Sequence, residues 1–357
     1  MKSEKRGLAG TEARPTDKLS WWGGRPWPPP RQAPDTNSAV LGSTMRIIFL
    51  GYHNIGYACL EALIELSREL GDEIVAVVTH ADDPKENIWF ASVRQLAFDN
   101  YLPVYQPADP NDPAFVAAMQ ALQPDWLFSC YYRHMLKQPL LNLPRLGALN
   151  LHGSLLPRYR GRCPLNWVLV FGETETGVTL HYMEAKADRG DIVAQRRVPI
   201  TPEDTAVTLF AQMTAAAGTL FRETYPRLRT GQAPRRPQDH ARASYCGGRT
   251  PENGRIDWRQ PATAVYNLMR AVTHPYPGAF TTLGGRKLFI WNGRALAAPV
   301  TAPDGPGRIT MALPGEGLLV ATGDGHFLIT QAQWEGEPEF LGPVLATWKH
   351  LVGEKFS

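Results

Sequence analysis

The chain has 357 residues, 43% hydrophobic and 20% charged, with a formal net charge of +3. This composition excludes global disorder and, at this length, predicts two cores; the small net charge weighs against a nucleic-acid partner without excluding one. No apolar run reaches the roughly 18 to 20 residues that span a bilayer, and the N-terminus lacks the apolar centre of a secretion signal. Cys59, Cys130, Cys163 and Cys246 are dispersed, with neither CxxC nor zinc-site spacing, which reads as a cytoplasmic protein with free thiols and no metal.

Residues 1–44 hold Trp21-Trp22-Gly23-Gly24 and Pro28-Pro29-Pro30 among scattered basic side chains and read as a disordered leader, with Met45 as the alternative start. From Met45 the pattern changes. Arg46-Ile47-Ile48-Phe49-Leu50 is a buried-type strand closed by Gly51, and Ala58–Ile64 follows as a helix. A strand at 74–79, a helix near 92–100, a short strand at 103–105, a helix near 112–122 and a strand at 126–129 continue the alternation. It predicts an α/β, Rossmann-like, mainly parallel sheet with helices on both faces. Gly51-Tyr52-His53-Asn54-Ile55-Gly56 lacks the GxGxxG spacing, which argues against a dinucleotide. Further on come a helix at 166–169, an alternating strand at 177–183 and a long helix at 206–225.

The Gly-, Pro- and Arg-rich stretch 229–238 reads as a linker, which divides the chain into 45–233 and 234–357. Beyond it, short strands at 287–291, 317–321 and 326–331 with one helix at 262–271 predict a small OB-like β-barrel domain.

The chemistry concentrates at Asn150-Leu151-His152, at the end of an apolar run. In a strand, residues i and i+2 face one way, so the Asn150 amide and His152 imidazole project together, at the strand end where open α/β sheets collect ligands. The next loop, Arg158-Tyr159-Arg160-Gly161-Arg162-Cys163-Pro164, carries three arginines suited to an anionic or carbonyl-rich ligand. Asp188, just past the 177–183 strand, can approach His152. A carboxylate beside an imidazole favours its charged form and fixes its tautomer, while an amide aimed at a developing oxyanion contributes roughly 3 to 4 kcal/mol. Singly, each of the three side chains has an ordinary structural role; together they describe acyl-type transfer.

Asn150-Leu151-His152 with Ser154-Leu155-Leu156-Pro157 and the later Ala187-Asp188-x-Gly190 resembles the folate-dependent formyltransferase family. The resemblance implies a catalytic Asn150, His152 and Asp188 with 10-formyltetrahydrofolate as donor. It further implies folate contacts at His134, Met135 and Leu136, at Arg162, and along Glu184, Ala185, Lys186 and Ala187. The runs 159–169 and 172–181 are similar to family members that formylate nucleotide-linked amino sugars, above all UDP-4-amino-4-deoxy-L-arabinose, for lipid A modification and polymyxin resistance. The best-known of those members carries a second, dehydrogenase domain, so a separate dehydrogenase partner stays open here, as does a homo-oligomer. Tyr159, Arg249, Arg270 and Tyr276 are the expected substrate contacts; the loop 270–280 either stacks on a nucleotide or serves as a structural turn. The alternatives are family members acting on methionyl-tRNA and a non-catalytic folate- or nucleotide-binding regulator.

Overall fold

The computed structural model describes residues 43–84, 86–296 and 305–357; apart from Ser43 and Thr44, the expected leader lies outside them. The chain enters the structure through β1 (Arg46–Gly51), whose side chains are almost all buried. α1 (His53–Leu70) extends the expected helix in both directions and stops at Gly71, where a φ of 74° suits a residue without Cβ. β2 (Glu73–Val78), α2 (Val93–Asp99), β3 (Val104–Tyr105), α3 (Pro113–Ala121), β4 (Trp126–Cys130), α4 (Gln138–Leu141) and β5 (Gly147–His152) continue the alternation.

After β6 (Arg160–Gly161) and α5 (Pro164–Val170), the hairpin of β7 (Glu175–Tyr182) and β8 (Ile192–Pro199) completes a seven-stranded sheet in the order β3-β2-β1-β4-β5-β7-β8 among the described residues. The strands up to β5 pair in parallel, whereas β7 runs antiparallel to both β5 and β8. β8 is absent from the sequence reading, because its exposed Arg196 and Arg197 interrupt the apolar alternation that marks a strand.

Parity along β5 sets the stage for chemistry. Leu149 and Leu151 join Ile47, Phe49 and Phe128 in the core covered by α1 and by α6 (Ala206–Arg229), while Ala148 joins Ile48, Leu50 and Leu127 in a second core on the opposite face. Asn150 and His152 share the parity of Ala148, so alternation turns them to that second face.

β9 (Tyr245–Cys246) pairs with β6, and α7 (Ala262–Val272) leads into the strands β10 (Ala279–Leu283), β11 (Arg286–Leu296), β12 (Ile309–Leu313), β13 (Gly317–Ala321), β14 (His326–Trp334) and β15 (Glu339–Leu341), then α8 (Gly342–Leu345). These six strands form an antiparallel sheet in the order β10-β11-β14-β13-β12, with β15 on β14. The large apolar cluster beneath α1 and α6 continues through α5 and α7 into this sheet, reaching Leu288, Ile329 and Phe327. The two cores expected from chain length are therefore joined. Asn166 Nδ2 donates to the Ala271 carbonyl at 2.8 Å, and the Tyr266 hydroxyl to that of Pro202 at 2.8 Å, across the same junction.

His53 opens α1 inside an aromatic cage, stacked 4.0 Å from Phe90 and edge-on to Trp89 and Phe210. Its Nδ1 is buried without a partner among the described residues, and burial pushes its pKa from 6.5 down to about 4. A base whose folded pKa is depressed confers stability that is complete above its unfolded pKa and lost as pH falls toward the folded one. Urea unfolding measured at successive pH values is expected to show stability declining from about pH 6.5 to about pH 4, with a shallower slope in His53→Asn. An unchanged slope in that variant would show that the cage does not exclude the proton.

Candidate functional site

On β5, Asn150 and His152 stand opposite His181 and Thr179 of β7. The β7–β8 connection folds back over these side chains and delivers Asp188. Its Oδ1 lies 3.5 Å from His152 Nδ1 and 3.6 Å from His181 Nε2, and its Oδ2 accepts the Gly161 backbone N–H at 2.8 Å. Asn150 Nδ2 lies 3.2 Å from His181 Nε2. One carboxylate thus serves two imidazoles, and one of those imidazoles also touches the amide.

Backbone carbonyls, which only accept, decide the tautomers. The Tyr159 carbonyl, 2.8 Å from His152 Nε2, requires a proton there, so a neutral His152 turns its Nδ1 lone pair toward Asp188. The Tyr182 carbonyl, 2.8 Å from His181 Nδ1, likewise leaves His181 Nε2 as an acceptor. That acceptor takes one N–H of the Asn150 amide and leaves the second N–H free to serve a ligand.

Burial and charge pull His152 in opposite directions. Its ring is 7% exposed, and burial lowers its pKa, opposed by Asp188 and the Tyr159 carbonyl. Burial also works against ionisation of Asp188, yet a proton on His152 Nδ1 and the Gly161 N–H hold its carboxyl well below the usual carboxylate range. We take the ring as neutral and Asp188 as ionised near pH 7, because burial is the largest influence on the ring and the Gly161 bond supports the carboxylate whatever the ring's charge. A proton arriving at Nδ1 then meets a waiting carboxylate, as a group that must alternate between base and acid requires.

Asp188 is held through its backbone as well. It adopts a φ of 56°, in the left-handed region where a side chain is strained, and its carbonyl accepts from Gln238 Nε2 at 3.0 Å. Gln238 also donates to the Gly190 carbonyl at 2.7 Å and accepts from Arg160 Nη2 at 2.6 Å. Arg160 is 1% exposed, and its other donors meet the Tyr245 hydroxyl and His240 Nδ1, both at 2.9 Å. Of the three arginines expected to greet a ligand, this one is instead an internal fastener. Gly161 is required where it stands: at a φ of 102°, an added Cβ would lie 2.3 Å from the Cys246 carbonyl oxygen. The stretch read as a linker therefore closes the site.

The other expected residues divide. Asn150, His152 and Asp188 converge. His134, Met135 and Leu136 follow β4; Leu136 is buried in the second core, while Met135 leaves 63% of its surface exposed. The buried hydroxyl of nearby Tyr132 has no hydrogen-bond partner among the described residues. Glu184, Ala185, Lys186 and Ala187 form the exposed run just before Asp188, and Arg162 is exposed beside Gly248.

Arg249 lies over the Trp167 ring at 4.6 Å, and Tyr276 faces Trp89 at 6.2 Å between ring centres. Arg270 departs from the expectation that it meets a ligand. It is 5% exposed and donates to the carbonyls of Thr201 and Asp204 at 2.9 and 3.2 Å, because α7 turns it into the junction between the sheets. The Tyr159 hydroxyl donates to Glu173 at 2.5 Å, on the wall of a separate cavity.

His181, Gln238 and the inward turn of Arg160 are missing from the sequence reading. Alternation with Thr179 marks the face of His181, but only the pairing of β7 with β5 brings that face to Asn150.

A family profile described as formyl transferase matches residues 45–224, and one described as formyl transferase, C-terminal domain, matches residues 249–343. Among solved structures, the chain resembles a HypX variant from Aquifex aeolicus with 21% identity and a TM-score of 0.55, over 88% of this chain and 49% of that one. It thus spans about half the length of that protein. It also resembles the N-formyltransferase of Helicobacter canadensis, in complex with folinic acid and dTDP-3-aminofucose, with 20% identity and a TM-score of 0.61 over 82% of this chain and 100% of that one. The figures for WlaRD, a sugar 3N-formyltransferase studied with dTDP and 5-N-formyl-THF, are 20%, 0.61, 83% and 100%. At these identities the likeness is one of fold.

Since Asp188 is the group that raises the proton affinity of His152, Asp188→Asn is expected to drive the His152 pKa further below 6.5. Imidazole NMR titration of the two proteins checks this, and an upward or absent shift would contradict the arrangement.

Proposed function

The chain belongs to the formyl transferase family, and on that premise we propose that it carries a formyl group from 10-formyltetrahydrofolate to the amine of a nucleotide-linked amino sugar. The observation that carries this reading is the buried group of Asn150, His152 and Asp188 on one face of the sheet, braced by His181. UDP-4-amino-4-deoxy-L-arabinose is the acceptor we favour, through the likeness of residues 159–181 to family members that use it. Sugar nucleotides or folates in the complexes of the Helicobacter canadensis enzyme and WlaRD support the substrate class.

The residues following β4 suit a folate. Exposed Met135 beside buried Leu136 offers an apolar face, the unpartnered Tyr132 hydroxyl a polar contact, and the open run 184–187 its backbone groups. Arg162 is free to steer the anionic or carbonyl groups of either substrate. Arg249 and Tyr276 are the remaining acceptor contacts; Arg270 is committed to the fold.

As the sugar amine attacks the formyl carbon, a C–N bond forms and negative charge gathers on the formyl oxygen. The free N–H of Asn150 meets that charge, having been oriented beforehand by His181. The proton shed by the amine passes to His152 Nδ1, where Asp188 stabilises it, directly or through water. Breaking the bond to N10 of the folate then returns this proton to the departing nitrogen. The products are an N-formyl sugar nucleotide and tetrahydrofolate. Because His152 must first be neutral, the rate should fall as pH drops below the His152 pKa, which itself lies below 6.5.

Purified protein and 10-formyltetrahydrofolate, incubated with a panel of amino-sugar nucleotides and with initiator methionyl-tRNA, should add the mass of a formyl group to a UDP-linked amino sugar. Formylation of the tRNA alone, or of nothing, would refute the proposal. Under the same conditions His152→Ala should lower kcat roughly a hundred- to ten-thousandfold. His181→Leu should cost kcat roughly 10- to 100-fold with KM little changed, and His181→Gln, which keeps an acceptor for Asn150, should recover much of the loss. A leucine variant as active as the parent would remove His181 from the mechanism.

A further inference from the structure

A cavity of about 470 Å³ opens beside the loop that carries Tyr159, and neither Asn150, His152 nor Asp188 lines it. Its wall includes Arg158, Arg197, Arg236 and Arg242, against the single carboxylate of Glu175. Its volume falls in the range of small-ligand sites, roughly 300 to 1,000 Å³.

The four cations are not equally occupied. Arg158 pairs with Glu173, and Arg197 with Glu175. Neither Arg236 nor Arg242 has a side-chain hydrogen bond or ion pair among the described residues. Their backbones are nevertheless well placed. Arg236 bridges Ile192 through main-chain bonds of 2.8 and 2.9 Å, and the Arg242 N–H reaches the Asp239 carbonyl in the short helical turn at 240–242. Between them, Gln238 and His240 are tied to buried Arg160. Thr176, whose buried hydroxyl lacks a partner among the described residues, contributes to the same wall.

Two unpaired guanidinium groups on a fastened segment, facing a cavity with two further arginines, form a concentrated positive field with donors to spare. We propose that this cavity is a second binding site, distinct from the catalytic cluster, for a compact polyanion of the diphosphate class. Arg236 and Arg242 supply the charge-assisted bonds, while Arg158 and Arg197, held by Glu173 and Glu175, complete the wall. The site does not depend on the proposed acceptor, since none of the three candidate catalytic side chains borders it.

The probe is inorganic pyrophosphate, titrated calorimetrically into the full chain at constant ionic strength, with chloride as the balancing anion so that general screening stays fixed. Saturable binding is expected, weakened roughly tenfold or more in Arg236→Gln/Arg242→Gln, since each lost charged bond is worth on the order of a factor of ten. The double variant removes exposed side chains only, and an unchanged unfolding midpoint establishes that it folds. Absence of saturable binding, or equal affinity in the double variant, would each overturn the proposal; the second outcome would assign the anion to another part of the surface. Formyl transfer is not the readout, so a failure here leaves the reading of the catalytic cluster to its own test.

Discussion

The architecture of the site depends on how one carboxylate is held. Asp188 is in contact with two imidazoles and a backbone N–H, and it occupies a left-handed conformation that costs a residue with a Cβ roughly 1 to 2 kcal/mol. That strain persists because both ends of the residue are restrained. Gly161 holds the side chain, and Gln238 holds the carbonyl.

Each restraint is anchored in turn. Gly161 belongs to β6, whose pairing with β9 tolerates no larger residue, and Gln238 is fastened by Arg160 of the same strand. A buried cation without a carboxylate at hydrogen-bond distance is unusual, and Arg160 spreads its charge over neutral oxygen and nitrogen acceptors instead. The segment from 236 to 246 is in consequence part of the site wall, and it ties the parallel sheet to the antiparallel sheet that follows. Its inward residues brace Asp188, while Arg236 and Arg242 leave their charges uncompensated.

Electrostatics and hydrogen bonding act together in this arrangement. Burial alone would leave His152 a poor base, and an exposed carboxylate would attract a proton only weakly. Asp188 beside His152 Nδ1 gives the ring a place to hold a proton without making it cationic at rest. His181 performs a different task with the same chemistry: fixed by the Tyr182 carbonyl, it orients the Asn150 amide.

Much of this was legible in the linear chain wherever the physics is local. Alternation of apolar strands and helices from Met45 onward specified an α/β sheet, because burial on both faces demands uninterrupted apolar runs. The two-residue period of a strand by itself places Asn150 and His152 on one face. Pairings that depend on distant partners were not legible: β8 behind its exposed arginines, His181 opposite Asn150, Gln238 reaching Asp188 across 50 positions. Nor could composition distinguish Arg160 and Arg270, turned inward to carbonyl and amide acceptors, from arginines waiting for a ligand. A side chain's period is dictated by its own backbone and can be read from neighbours in sequence. Its partner is chosen by sheet order and loop closure, which only the folded chain decides.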